Sequence, residues 1–144
     1  MITTGYKALV AAAEAEIETI SVEDAQKLIG APGVQFIDIR DVREVWREGT
    51  VPGAFLASRG MLEFWVDPES PYYKELFGSG KKFVFFCAVG WRSALATQTV
   101  QHMGLRPVAH IAGGFGAWVK AGGPVERRDP KPEKPAQTSG ASSS

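Results

Sequence analysis

The chain contains one cysteine, Cys87, and the residues around it are those of a working thiol. In Phe85-Phe86-Cys87-Ala88-Val89-Gly90-Trp91-Arg92-Ser93-Ala94, a strand ends at the cysteine, a short loop holding Gly90 follows, and a helix begins near Ser93. A loop that curls into a helix N-terminus aims several backbone N–H groups at one spot and makes a nest for an anion. The same field favours thiolate over thiol by up to ~2 kcal/mol where the charge is partly buried. Arg92 adds a full positive charge at the helix start. A histidine base is not needed under this arrangement, and the neighbouring sequence offers none. The plain alternative is an inert cysteine buried after an apolar strand. The Gly90-x-Arg92-Ser93 continuation favours the reactive reading, because an inert thiol requires no nest around it. Trp91 has little core within reach of its loop, so it is expected to wall an entrance rather than fill an interior.

The elements that must hold this loop alternate between helix and strand signals, which predicts a sheet covered by helices. Lys82-Phe83-Val84-Phe85-Phe86 is apolar on both faces and is therefore expected at the centre of the sheet. Val34 to Ile39, Ala54 to Ala57 and Val108 to Ile111 are the other predicted strands. Thr4 is expected to cap a first helix through Tyr6, Leu9, Val10 and Ala13, and Ser21 a second over Val22 to Ile29. Asp41 followed by Glu44 has the form of a capping box, and Gly49 ends that helix. Ser70-Pro71 predicts a helical start for Tyr72 to Phe77. Ser93 to Met103 is predicted helical with Leu95, Thr99 and Met103 on one stripe, and Phe115 to Ala121 forms a last helix.

Composition narrows the function classes. Sixteen basic residues balance 16 acidic ones in 144 residues, which argues against nucleic acid or an anionic membrane as partner. No apolar run approaches the ~20 residues of a membrane span. Glu14, Glu16 and Glu18 interrupt the apolar patch near the N-terminus, so no export signal is read there and a cytoplasmic location is expected. A single cysteine excludes an internal disulfide, and with only His102 and His110 beside it a structural metal site is not expected. Residues 127–144 carry prolines and serines but no Val, Ile, Leu, Met or aromatic residue, a composition expected to remain a disordered tail.

Four motifs taken together resemble the rhodanese family of sulfurtransferases. The loop from Cys87 to Arg92, with four residues between cysteine and arginine, resembles its active-site loop. Asp38-Ile39-Arg40 resembles its Asp-x-Arg signature at a strand end. Glu44 with Gly49-Thr50-Val51-Pro52-Gly53-Ala54 is similar to its Glu-x4-Gly-His-Ile-Pro-Gly-Ala segment, and Gly113-Gly114-x3-Trp118 to its closing signature. Thr50 departs from the family's usual histidine at a position assigned to the scaffold. The match runs in order from about residue 17 to 121. The expected organisation is thus a helical extension over 1–16, a rhodanese-like domain over 17–126 and the tail.

The resemblance implies a three-layer α/β/α domain with a central, mostly parallel five-stranded sheet and the active loop at the C-terminal strand edge. It also implies a chemistry. Cys87 takes a sulfur from a small donor such as thiosulfate or a persulfide and passes it to a thiol or cyanide, with no cofactor. Backbone N–H groups of Ala88, Val89, Gly90, Trp91, Arg92 and Ser93 are expected to hold the persulfide charge. Asp38 and Arg40 are expected to tie loops together rather than act on substrate. Arg59 either borders the pocket and attracts an anion or is a solvated surface residue. His102 and His110 are expected on a helix surface and at a strand end. Gly113-Gly114-Phe115-Gly116 is too short for a dinucleotide fingerprint and is expected to allow a tight turn. Two alternatives are a non-catalytic binding or regulatory module and a cysteine phosphatase or arsenate reductase, whose phosphate-handling loops have five residues between cysteine and arginine.

Overall fold

The computed structural model of the chain describes residues 1–130. In chain order the elements are α1 (Tyr6–Glu14), β1 (Glu18–Ile20), α2 (Val22–Gln26), β2 (Val34–Asp38), α3 (Val42–Glu48), β3 (Phe55–Leu56), α4 (Leu62–Val66), β4 (Lys82–Phe86), α5 (Trp91–His102), β5 (Val108–Ile111) and α6 (Gly114–Lys120). Two 3-10 turns, Arg59–Met61 and Glu75–Gly78, complete the set. The strands form one sheet in the order β1-β5-β4-β2-β3, and every pairing is parallel.

The uninterrupted apolar run of β4 takes the central place, as its lack of a polar face requires. Phe83, Phe85 and Val108 pack with Ala96 and Val100 of α5 and with Leu62 and Val66 of α4 on one face. Val84, Phe86 and Ile111 pack on the other face with Val22 and Ala25 of α2 and with Phe115 and Trp118 of α6. Alternation along each strand thus feeds two cores, and the architecture is three-layered α/β/α. Burying one such aromatic or aliphatic side chain is worth about 1.5–3 kcal/mol. A strand with four of them fixes the chain firmly, and Cys87 is the first residue past its end.

Several local expectations give way to tertiary structure. The N-cap of α1 is Gly5 without a side-chain cap, not Thr4, and of its residues only Ala13 is fully buried. Packing of α1 against α5 holds it instead, with Ala13 buried and the Tyr6 ring against Trp91. Helix α2 ends at Gln26, short of the expected Ile29. The segment Tyr72 to Phe77 is a turn followed by a 3-10 turn, because the Ser70 hydroxyl accepts from Tyr72 N–H and closes the chain locally. The buried face of α5 is Ser93, Ala94, Ala96, Thr97 and Val100, while Met103 is exposed. Small residues let this helix lie close on the sheet, so the larger apolar stripe pointed the wrong way. Helix α4 and the edge strand β1 carry no strong cap or alternation signal and were not expected.

Residues 127–130, assigned to the tail, still touch the domain. Arg128 donates to Glu126 at 2.6 Å, and Arg128, Asp129 and Pro130 line a groove with Val42, Val45, Trp46 and Leu56. The rest of the expected tail, 131–144, lies outside the described residues. Among the described residues no helix is long and apolar enough to cross a membrane.

Candidate active site

Helix α5 begins at Trp91, earlier than the sequence suggests, and Gly90 is its N-cap with φ +100°. Only glycine adopts that left-handed turn without strain, and it tightens the loop so that the helix start folds back over the cysteine. A helix leaves its first four N–H groups without intrahelical partners. Two of these, from Gly90 and Ser93, donate to Cys87 Sγ at 3.2 and 3.3 Å. The sulfur lies 3.6 Å from Ser93 Oγ and the residue is 1% exposed. Val89 and Trp91 stand at the surface above it, and the Trp91 ring meets Tyr6 of α1 with centroids 4.8 Å apart. Ala88 is half-buried.

The loop is clamped from its other side by α6. Phe115 N–H donates to the Cys87 carbonyl at 2.7 Å, and Gly116 N–H to that of Ala88 at 3.0 Å. Gly114, at φ +66°, makes this approach possible, since a Cβ there would sit 2.5 Å from the Cys87 oxygen. The glycine run is therefore more than a turn. It allows the start of one helix to hold the backbone of the loop while the start of another holds the sulfur.

Asp38 and Arg40, both fully buried, form a closed lock below the loop. Arg40 Nε and Nη2 donate to the Asp38 carboxylate, with the shortest bond at 2.8 Å. Its remaining donors reach Glu48 Oε1 at 3.0 Å and the Gly49 carbonyl at 2.6 Å, and the guanidinium lies 4.3 Å over the Phe115 ring. Thr50 Oγ1 donates to Asp38 Oδ2 at 2.7 Å. The hydroxyl thus fills a place in this network.

Arg92, expected to add positive charge at the helix start, engages its side chain in an ion pair with α3. Its two terminal nitrogens donate to Glu44 at 2.8 and 3.1 Å. This pair holds the Glu44 carboxyl below its ordinary value and raises Arg92, with the Cys87 charge a smaller contributor to the latter. Arg59 reaches the sheet edge through its N–H, which donates to the Ile39 carbonyl at 3.1 Å. Its guanidinium pairs with Glu63 at 2.8 Å.

The sequence reading placed His110 at a strand end but did not connect it with the cysteine. It lies on the same face of β5 as Val108, fully buried, with Nδ1 3.0 Å from Ser93 Oγ. Its Nε2 has no hydrogen-bond partner, and Glu14 Oε2 of α1 lies 3.7 Å away. Burial pushes His110 below its ordinary value, with Glu14 opposing the shift. A polar residue two positions after a core valine on an inner strand was the available signal. Glu44 as the partner of Arg92 had no such signal, because 48 residues separate them. Among the described residues no group of three or more His, Cys, Asp or Glu is placed to hold a metal ion.

A strand-end cysteine in a nest, with an Asp-x-Arg lock beneath it, can be compared directly with known proteins. Residues 21–121 match the model of the Rhodanese-like domain. The chain belongs to that family. Human thiosulfate:glutathione sulfurtransferase is 28% identical over 108 residues, which cover 71% of this chain and 93% of that protein. Among solved structures, a protein of unknown function from Rhodopseudomonas palustris, described as a possible tyrosine phosphatase, is 58% identical with a TM-score of 0.85, covering 88% of this chain and 97% of that one. The polysulfide-sulfur transferase homodimer of Wolinella succinogenes is 32% identical with a TM-score of 0.65, covering 85% and 88%. The rhodanese-like fold is thus shared with sulfurtransferases.

Proposed function

We propose that the protein is a cytoplasmic sulfurtransferase that carries a sulfane sulfur on Cys87. The observation that carries this reading is the pair of N–H donors from Gly90 and Ser93 on the thiol sulfur. In the first step the Cys87 thiolate attacks the outer sulfur of a donor such as thiosulfate. A bond forms between the two sulfurs, the donor's S–S bond breaks, and sulfite leaves with the electron pair. The persulfide's outer sulfur then takes the N–H groups of Trp91 and Arg92, which remain available in the first turn of α5. An acceptor thiolate or cyanide attacks that outer sulfur and restores the Cys87 thiolate. Asp38 and Arg40 hold the loop's platform, and the Arg92–Glu44 pair fixes the start of α5.

The phosphatase reading has one observation in its favour, the description of the Rhodopseudomonas palustris neighbour. Loop size weighs against it. Four residues separate Cys87 from Arg92, a cradle for a single sulfur rather than a tetrahedral oxyanion, and the arginine fork that would grip phosphate is occupied by Glu44. The deciding experiment is mass spectrometry of the reduced protein after incubation with thiosulfate. Cys87 should gain one sulfur atom, and cyanide should remove it as thiocyanate. A folded, reduced protein that gains no sulfur from thiosulfate, mercaptopyruvate or a small persulfide, yet hydrolyses an aryl phosphate, would establish the rival. One that does neither would point to a binding module.

A further inference from the structure

Behind the nucleophile runs a buried line of polar groups that the two-step exchange does not use. Cys87 Sγ lies 3.6 Å from Ser93 Oγ, Ser93 Oγ lies 3.0 Å from His110 Nδ1, and His110 Nε2 faces Glu14 Oε2 at 3.7 Å. Cys87, Ser93 and His110 are all at least 99% buried, so the line ends in water only at Glu14, which is about half exposed. Ser93 Oγ has one hydrogen and three neighbours, the third being the Gly90 carbonyl at 3.3 Å. The imidazole is the nearest of them. An inner-strand position in the same layer as Val108 and Phe85 would normally be apolar, and His110 sits there with one ring nitrogen unsatisfied. Such an atom is costly to bury if it does nothing.

We propose that Ser93, His110 and Glu14 form a proton relay that takes the thiol proton of Cys87, with Ser93 and His110 as its working members and Glu14 as the group that orients the ring. The proposal rests on the reading of Cys87 as the sulfur carrier and adds how its thiolate arises. In the resting state Nε2 carries the ring hydrogen toward Glu14 and Nδ1 accepts from the Ser93 hydroxyl. The Cys87 S–H bond breaks and its proton passes to Ser93 Oγ. The original Ser93 O–H bond breaks as its proton moves to Nδ1. The products are a thiolate, an intact hydroxyl that now donates to the sulfur, and an imidazolium whose Nε2–H faces the Glu14 carboxylate. Charge and protons balance within the protein, and no outside base is required.

The groups around the ring agree with this assignment. From α1 comes Glu14, from α5 Ser93 and from the end of β4 Cys87. The register neighbours of His110 on the flanking strands are Thr19 of β1 and Phe85 of β4, neither of them charged. Burial disfavours the protonated ring, and Glu14 is the charge that opposes this once the imidazole takes up a proton. Helix α1, outside the residues matched to the family model, would then have a chemical task as well as a packing one.

The test is the pH dependence of Cys87 alkylation by iodoacetamide, which reads the thiolate and is independent of sulfur transfer. A thiol without an internal acceptor alkylates about tenfold faster for each pH unit below its ionisation. With the relay, the wild-type rate should level off to a shallow plateau between about pH 6 and 8. Ser93→Ala and His110→Asn should lose the plateau, fall about tenfold below wild type near pH 6.5, and rejoin it at high pH. Glu14→Gln, on an exposed side chain and least able to disturb folding, should lower the plateau about threefold. Equal tenfold-per-unit slopes in the wild type and all three folded variants would overturn the relay. If thiosulfate still loads sulfur on Cys87 in that case, the sulfurtransferase reading stands without it. A plateau that the variants lose, in a protein that never gains sulfur, would leave the relay standing and remove the donor chemistry.

Discussion

Two buried polar clusters lie within a few residues of each other at the C-terminal edge of the sheet, and they are built to opposite ends. In the Asp38–Arg40 cluster each guanidinium nitrogen has an acceptor, and both carboxylate oxygens are used. In the Cys87 cluster one hydroxyl is shared among three neighbours and one histidine nitrogen has no partner. A filled network is rigid and has no group left to react with. An incompletely filled one keeps protons and lone pairs free to move. The two arginines repeat the contrast. Arg40 is sealed in the interior, while the Arg92 side chain is 42% exposed and meets a single partner.

Substitutions that separate rigidity from reactivity test this division. The largest effect belongs to Cys87→Ser, which should abolish sulfur loading, since an alcohol has no comparable ionised form near neutral pH. Its melting temperature should stay within a few degrees of wild type. Arg40→Ala should do the reverse. Leaving the buried Asp38 carboxylate unpaired should cost about 3–5 kcal/mol in urea unfolding. Arg92→Ala, by comparison, should cost about 1 kcal/mol or less while slowing sulfur transfer. If Arg40→Ala and Arg92→Ala proved equally destabilising, the two arginines would not differ in kind.

Gly114→Ala sharpens the comparison at the point where α6 holds the cysteine loop. The new Cβ would press on the Cys87 and Ala88 carbonyls from a φ of +66°, a strain of about 1–3 kcal/mol. Stability and sulfur loading should fall together, because the clamp serves both. A variant with unchanged loading would show that the α6 contact does not position the sulfur.

Acid should act on the second cluster first. Burial holds His110 below its ordinary value of 6.5, so as pH falls through that value the unfolded chain binds a proton that the folded chain refuses. Stability therefore declines from about pH 6.5 downward until the folded value is reached. Glu44, held below 4.5 by Arg92, contributes stability that is present above 4.5 and lost as pH falls through its folded value. Melting temperatures between pH 7.5 and 5.5, taken in Cys87→Ser so that the thiol does not contribute, should drop. Adding His110→Asn should flatten that drop. The smallest effect is Thr50→Val, which removes one bond to Asp38 and should cost about 1 kcal/mol without altering sulfur loading.

The sequence by itself determined the central strand, the cysteine at its end, the glycine that turns the loop and the capping box of α3. Each is a local signal. An apolar run long enough to need two covered faces, a residue type with one chemistry, a left-handed turn and a reciprocal cap are all legible within a few positions. Tertiary structure decided what those residues meet. The Arg92–Glu44 pair, the approach of Gly114 to the Cys87 carbonyl and the line from Cys87 through Ser93 to His110 and Glu14 join residues distant in the chain. Strand order and helix docking set such neighbours, and no periodicity of the chain encodes them. Arg92 shows the consequence most clearly. Its charge and its place beside the cysteine are plain in the sequence, but only the fold, which brings Glu44 of α3 within reach, gives that charge a partner. The task of orienting the sulfur falls to backbone N–H groups, which every residue but proline possesses and which a sequence alone does not single out.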